Sequence, residues 1–111
     1  MKNYVQPGTT LTLTAPYAVT SGDGLLVGSI FGVAAGDAAN GETLEVALTG
    51  VFDLKKVASQ AWSAGDKVYW DNTNKEVTKT ATANTLIGVA TEAVAGGSGD
   101  VIGRVRLNGS F

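Results

Sequence analysis

The sequence predicts an all-β fold, a compact small β-barrel or sandwich of about seven strands with at most one short helical turn. Two observations support this prediction. Runs of β-branched and aromatic residues recur along the chain, and each run is ended by Gly, Asn or Asp, as in strands joined by hairpin turns. Four predicted strands lie in the last part of the chain, over residues 67–70, 75–78, 85–94 and 101–107.

Two segments of the first half alternate between apolar and polar residues. Residues 10–14 have a period of two, which places Leu11 and Leu13 on a buried face. Residues 43–54 alternate in the same way, and Gly50 marks a bend in the apolar register. Both segments are therefore predicted to be half-buried strands.

Two other segments are less regular. Residues 25–34 are predicted to form one nearly continuous apolar strand, in which Gly28 and Gly32 indicate bulges or close backbone approach. Residues 55–64 are the one segment with a plausible helical turn, whose buried stripe would consist of Val57, Ala58, Ala61 and Trp62.

The domain organisation is predicted to be simple. Residues 1–8 form an extended N-terminal arm, because Pro7 and Gly8 stop any regular element. Residues 9–111 form a single β-domain, long enough to bury a core without a metal or a disulfide.

The composition excludes several kinds of chemistry. The chain of 111 residues has no cysteine, so it has no disulfide, thiolate nucleophile or zinc-thiolate site. It also has no histidine, which removes the commonest neutral-pH base and the commonest metal ligand. We therefore expect no cofactor and no metal.

The charge pattern and the hydropathy argue against two kinds of partner. The net charge of −2 is near neutral and the basic residues are scattered, whereas a nucleic-acid surface needs clustered Lys and Arg. No apolar run approaches the ~20 residues of a membrane span, and the N-terminus lacks the apolar stretch of a signal peptide. We expect neither nucleic acid nor a membrane as a partner.

The motifs that resemble catalytic or metal sites are incomplete. Residues 96–100 lack the last glycine of a nucleophile elbow, and no phosphate-loop lysine follows the glycines between 22 and 28. The segment 71–76 lacks the glycine of a calcium loop and is predicted to be an Asn- and Asp-rich hairpin turn. A carboxylate pair remains open, because distances between carboxylates cannot be read from a sequence.

A few side chains are candidates for contact with a partner protein. Arg104 and Arg106 flank Val105, so both point away from the core, either into solvent or towards an acidic partner surface. Alternation in 68–70 favours Trp70 in the core, which leaves Tyr69 or Trp62 as the candidate for an aromatic contact between subunits.

Several segments, taken in their order, resemble one known family. They are Met1–Gly8, Thr20–Gly28, Thr49–Lys56, Ala64–Asp71, Ile87–Ala90 and Val105–Gly109. Together they cover essentially the whole chain and are similar to the capsid decoration, or cement, proteins of tailed bacteriophages and prophages. Members of this family were formerly filed as a domain of unknown function and sometimes labelled phage recombinases. This chain has neither the phosphate loop nor the alternating helices of a recombinase core.

The resemblance implies a structural role without catalytic residues. Such proteins are made in the host bacterial cytoplasm, bind the outer surface of the expanded head and bridge subunits of the major capsid protein. They are homo-oligomers, commonly trimers, with dimers known at two-fold positions. In this chain the N-terminal arm is a plausible clamp on the capsid, with Tyr4, Val5 and Gln6 as contact residues; it is equally plausible as a strand packed on its own domain.

Two other functions remain open at this point. Another virion β-module, such as a tail or baseplate adaptor, would have a similar composition. An enzyme would require a deep pocket that holds two close carboxylates.

Overall fold

A computed structural model of the protein describes residues 10–108, which form nine β-strands and, within that range, no helix. The predicted N-terminal arm lies outside the described residues, as do residues 109–111. The all-β prediction is confirmed, with two strands more than expected. The strands are β1 (Thr10–Thr14), β2 (Gly24–Val27), β3 (Ile30–Ala34), β4 (Thr43–Ala47), β5 (Thr49–Lys55), β6 (Lys67–Asp71), β7 (Glu76–Thr78), β8 (Thr85–Ala90) and β9 (Ile102–Asn108).

The strands form two antiparallel sheets. The first has the order β1-β4-β3-β2, and the second has the order β5-β9-β8-β6-β7. The second sheet curls into a half-barrel, because the chain just after β5 returns to its other edge strand. There Lys56 bridges Val77, and the Val57 N–H donates to the Val77 carbonyl at 2.9 Å.

The segment 43–54, predicted as one alternating strand, is two strands that belong to different sheets. Leu48 separates β4 from β5, and Gly50 follows with φ +117°. This φ lies in a region that side-chain-bearing residues rarely adopt, so glycine permits the change of direction here. Leu48 is buried, so the alternation of buried and exposed residues continues from β4 into β5 although the two strands belong to different sheets.

The prediction of a single strand over 25–34 is wrong. This segment is a tight hairpin in which Val27 pairs with Ile30 across the two-residue loop Gly28-Ser29. Gly28 has φ +60° at the first loop position, which a type II′ turn reserves for glycine. Gly32 does mark a close approach, since a Cβ there would lie 2.2 Å from Cγ1 of Val46.

The segment 55–64 does not form the helical turn considered for it. Its first residue ends β5, and Lys56 and Trp62 make isolated bridges, to Val77 and Val94 respectively. Backbone groups of this segment thus pair with β7 and with the connection between β8 and β9, and these pairings replace the i to i+4 hydrogen bonds of a helix.

Buried side chains form two clusters. The larger one lies inside the half-barrel and includes Phe31 of the first sheet, whose ring centroid is 5.0 Å from that of Trp70. Trp70 is 3 % exposed, which confirms its predicted core position. The smaller cluster lies on the other side of the first sheet, and Leu11 and Leu13 of β1 pack against it.

The hairpin of β6 and β7 confirms the predicted Asn- and Asp-rich turn. The Asp71 carboxylate accepts hydrogen bonds from the backbone N–H groups of Thr73 and Asn74, at 3.0 and 3.1 Å. It also accepts one from the Asn74 side-chain amide at 2.9 Å. These hydrogen bonds lower the pKa of Asp71, the one from the Asn74 backbone most strongly, and they fix the shape of the turn.

Candidate partner-binding surface

Three of the residues singled out in the sequence lie on the outer face of the five-stranded sheet. In β9 the exposed Arg104 and Arg106 alternate with the buried Val105 and Leu107, as the sequence predicts. Tyr69 of β6 is half-buried and alternates with the buried Val68 and Trp70, so its side chain faces outwards as well. The fold therefore brings Tyr69, Arg104 and Arg106 onto one face.

A row of side chains crosses this face at right angles to the strands. Val51 of β5 pairs with Arg106, Arg106 pairs with Val89 of β8, and Val89 pairs with Lys67 of β6. Side chains at directly paired positions are about 5 Å apart at Cβ. Arg106 and Lys67 thus lie on either side of Val89, at the centre of the sheet.

Arg104 is engaged within the protein. Its Nε donates to Oδ1 of Asp53 at 2.9 Å, and its Nη2 donates to Oδ2 at 3.1 Å, a two-pronged contact across β5 and β9. Glu92 lies 3.7 Å from the same guanidinium. The hydrogen bond from Arg104 lowers the pKa of Asp53 and raises that of Arg104, so both stay charged. The charge of Arg104 is largely neutralised here.

Arg106 differs from Arg104. Neither Arg106 nor Lys67 forms an ion pair with another residue in the described part of the chain. The centre of the face therefore carries two cations without carboxylate partners. Such a pair favours an acidic partner surface, and the guanidinium suits a carboxylate with its planar fork of donors.

Exposed apolar side chains lie around these cations. Val51 is 53 % exposed and Ile102 is 54 % exposed, on neighbouring strands of the outer face. Leu86, 41 % exposed, pairs with Tyr69 across β8 and β6. A β-bulge in β8 turns Leu86 outwards, because Ile87 and Gly88 both lie opposite Val68. The face thus combines apolar contact area with polar donors, as protein interfaces do.

The structure corrects the interpretation of Trp62 as a subunit contact. Trp62 is 2 % exposed and belongs to the larger core cluster. Its ring occupies the space above Gly103, where a Cβ would lie 2.2 Å from the ring, and its Nε1 donates to Gln60 at 3.0 Å. Trp62 fills the core because Gly103 leaves room for the ring.

Sequence reasoning missed the role of Lys56. This lysine is 1 % exposed, and its Nζ donates to the carbonyls of Val57 at 2.6 Å and Asp100 at 2.9 Å. It also lies 5.7 Å from the Trp62 ring centroid. Burial lowers the pKa of Lys56, which the carboxylates of Asp100 and Glu76 partly oppose. Lys56 thus ties the glycine-rich loop before β9 to the end of β5.

A cleft of about 310 Å³ lies where the loop before β2 meets β5 and β6. Tyr17 and Trp70 line it, the Tyr17 hydroxyl donates to the Gly24 carbonyl at 2.8 Å, and Nζ of Lys75 lies 4.4 Å from the Tyr17 ring centroid. Burial, and to a smaller extent the Asp23 carboxylate, raise the pKa of Tyr17 to about 12. Within residues 10–108 no cluster of acidic side chains has the arrangement of a metal site.

The arm residues Tyr4, Val5 and Gln6 lie outside the described residues. In the range from 10 to 108, the structure has no helix with the length and hydrophobicity of a membrane span.

The comparison with protein families decides the assignment. The family model of the phage cement proteins matches residues 5–107, nearly the whole chain and all but the last residue of β9. The chain belongs to the phage cement protein family. This is a structural family of phage capsids, not an enzyme family, and membership gives this cement protein a role in stabilising the capsid and a place in the virion. Searches of curated proteins and of solved structures found no match.

Proposed function

We propose that this cement protein binds the outer surface of the expanded phage head and stabilises it by bridging subunits of the major capsid protein. It is made in the host cytoplasm and acts as a homo-oligomer, with a trimer favoured over a dimer. The observation that carries this proposal is the family match over residues 5–107. The all-β fold agrees with it, because a rigid small domain suits a clamp between subunits.

Bridging suits a small domain for a thermodynamic reason. One copy offers only a modest contact area, but a symmetric oligomer engages several capsid subunits at once. After the first contact, the others form at the high effective concentration set by the oligomer, so weak contacts add up to stable attachment. Each bridge then opposes separation of the subunits that it joins.

The outer face of the five-stranded sheet is the surface that we assign to the capsid. Arg106 and Lys67 supply positive charge that no carboxylate among residues 10–108 pairs with, and Val51, Leu86 and Tyr69 supply contact area. Arg104 contributes less, because Asp53 already occupies its guanidinium. A capsid surface with exposed carboxylates beside apolar side chains would be complementary to this face.

The N-terminal arm is assigned a second contact. Tyr4, Val5 and Gln6 would anchor an extended segment that adds a strand to a sheet edge of the capsid or orders upon binding. The arm directly precedes β1, so an anchored arm would hold the domain close to the shell.

Co-sedimentation with expanded, undecorated heads of the parent phage tests the proposal. We expect saturable binding at a fixed ratio to the major capsid protein, and the ratio distinguishes trimer sites from dimer sites. Binding should weaken as salt rises, because the cations of the sheet face are exposed. No binding to expanded heads at any salt would overturn the proposal and favour a position on the tail.

A matched pair of variants tests the assigned face. Arg106→Gln removes the central cation and should weaken binding about tenfold, equivalent to about 1.4 kcal/mol. Lys79→Gln makes the same change in net charge at a lysine that lies outside the strands of this face and already pairs with Asp66, so it should leave binding unchanged. Equal effects of the two variants would contradict the assignment of the face.

A further inference from the structure

β1 is an edge strand without the usual protection against pairing with another chain. It pairs with β4 on one side only, and within residues 10–108 no element covers its other side. Natural edge strands are usually blunted by Lys, by Pro or by a bulge. β1 reads Thr-Leu-Thr-Leu-Thr, pairs with β4 in unbroken register over its five residues, and contains no charge.

The hydrogen-bond pattern identifies the backbone groups on the free side. The Ala15 N–H donates to Glu42 O at 2.8 Å, directly opposite, so Leu13 and Leu11 also direct their N–H and C=O groups towards β4. The N–H and C=O groups of Thr10, Thr12 and Thr14 therefore point away from the sheet. On the other side of β4, the Ala35 N–H donates to Glu45 O, which agrees with this pattern.

The sequence of β1 is identical in both directions. An antiparallel partner with the same sequence, centred on Thr12, would place Thr12 opposite Thr12, Thr10 opposite Thr14 and Leu11 opposite Leu13. The outward-pointing backbone groups are those of the threonines, so each threonine pair would exchange two hydrogen bonds. The leucine pairs would be non-hydrogen-bonded pairs, in which side chains approach most closely.

We propose that the free edge of β1 is a two-fold contact between two copies of this chain, in which the β1 strands pair antiparallel about Thr12. The two four-stranded sheets then form one continuous eight-stranded sheet. A contact with these properties is isologous, since the same strand supplies both sides.

Two further observations favour a second copy as the occupant. Leu11 and Leu13 are only partly buried in the monomer, and the pairing covers them with the equivalent leucines and so extends the smaller core cluster across the interface. Charge is also compatible with the pairing. No like charges face each other between the strands, and the Thr12 hydroxyl donates to the nearby Glu45 carboxylate of its own chain.

The other edge strand of the first sheet, β2, is less available for pairing with a second chain. β2 has only four residues, and the Tyr17 hydroxyl occupies the carbonyl of its first residue, Gly24. The outer edges of the five-stranded sheet meet each other at the Lys56–Val77 bridge. β1 is thus the longer and more open edge of this sheet.

The contact is small. Five residues a side fall well short of the ~800 Å² per partner of a stable interface, so the pair should be transient in free solution. It would become populated where copies are held close together, as on a capsid surface. Pairing of two copies through β1 does not itself require binding to the capsid.

Disulfide trapping tests the register, and the absence of native cysteine makes each introduced thiol unique. Thr12→Cys places two thiols across the two-fold axis at a Cα separation of about 5.5 Å, within disulfide range. Thr10→Cys and Thr14→Cys are matched controls on the same strand. In a dimer of either control variant, the two introduced cysteines would be offset by four residues along the strand, about 13 Å. No disulfide spans this distance.

The expected result is specific to register. T12C should form disulfide dimers about tenfold faster than T10C or T14C alone. A mixture of T10C and T14C should give the mixed dimer, identified by its mass. Circular dichroism checks that each variant is folded.

Equal rates for the three single variants, or no mixed dimer, in folded protein would overturn the proposal. A second outcome would also overturn the pairing of two copies: Thr12→Lys loses head binding, while T12C forms no disulfide dimer either in solution or on heads. That outcome would assign the free edge of β1 to an extended segment of the capsid. Failure of head binding in wild type, with register-specific dimers retained, would overturn the capsid role and leave the pairing intact.

Discussion

At the scale of single residues, adjacent Lys55 and Lys56 occupy opposite environments. Lys55 is exposed at the end of β5, whereas Lys56 is buried with its Nζ bound to two backbone carbonyls. The sequence shows only a pair of lysines. The difference arises because the alternation of β5 continues one residue past the strand and directs Lys56 towards the core beside Leu54 and Trp62.

The two lysines make a matched test of this environment. Lys56→Ala should lower the free energy of unfolding by about 3 kcal/mol, because it leaves carbonyl groups without donors and removes packing next to Trp62. Lys55→Ala should change it by less than about 0.5 kcal/mol. Urea unfolding measures both, and similar effects of the two variants would contradict the role of Lys56.

Tyr17 gives a prediction about pH. Its pKa is raised from 10.0 to about 12 in the folded protein, so between these values the folded state retains a proton that the unfolded state loses. The stability that Tyr17 contributes is therefore fully present below pH 10 and is lost as pH rises towards 12. Tyr17→Phe should remove this part of the decline, which thermal unfolding across that pH range measures. A parallel decline in wild type and variant would contradict the buried environment of Tyr17.

At the scale of elements, glycines determine how closely strands approach each other. A Cβ at Gly88 in β8 would lie 2.0 Å from the backbone carbonyl oxygen of Arg106 in β9. Backbone cannot move aside as a side chain can. Gly36, in contrast, has open space around the position of a Cβ.

Gly88→Ala should therefore destabilise the protein by about 3 kcal/mol, because it forces β8 and β9 apart. Gly36→Ala should change the free energy of unfolding by less than about 0.5 kcal/mol and is the control. Both values come from urea unfolding. A tolerated Ala at position 88 would mean that the strands are not packed at this distance.

The sequence predicts those elements in which pattern and turn chemistry agree. Residues 10–14 form the predicted strand, and the turn around Asp71 has the predicted Asx-type hydrogen bonds. The hairpin of β2 and β3 was missed because its apolar residues run on across the loop, although Gly28-Ser29 is itself a hairpin signal.

Two other features could not be predicted from local pattern. The change of sheet at Leu48 leaves the apolar alternation intact, since both sheets bury the same parity of residues. The burial of Trp62 depends on Gly103, more than 40 residues away in sequence, which leaves space for its ring. Alternation alone correctly places three of the candidate contacts, Tyr69, Arg104 and Arg106, on an outer face. It does not predict that Asp53 pairs with Arg104 and not with Arg106, because that depends on the register between β5 and β9.

At the scale of the whole molecule, two sheets leave separate surfaces for separate contacts. The curled five-stranded sheet presents the face with Arg106 and Lys67, and the four-stranded sheet presents the free edge of β1. A protein that bridges subunits needs at least two such surfaces, because one contact alone links nothing. Under the proposed function, weak individual contacts at these two surfaces would act together on a shell that holds many copies.

A heat challenge of expanded, undecorated heads that contain DNA tests the central claim most directly. The heads are heated with the protein added at saturation, with Arg106→Gln added at the same concentration, or with no addition, and DNA release is followed by dye fluorescence. We predict that the wild-type protein raises the release temperature and that Arg106→Gln raises it less. An unchanged release temperature at saturating wild-type protein would contradict a cement role for this chain.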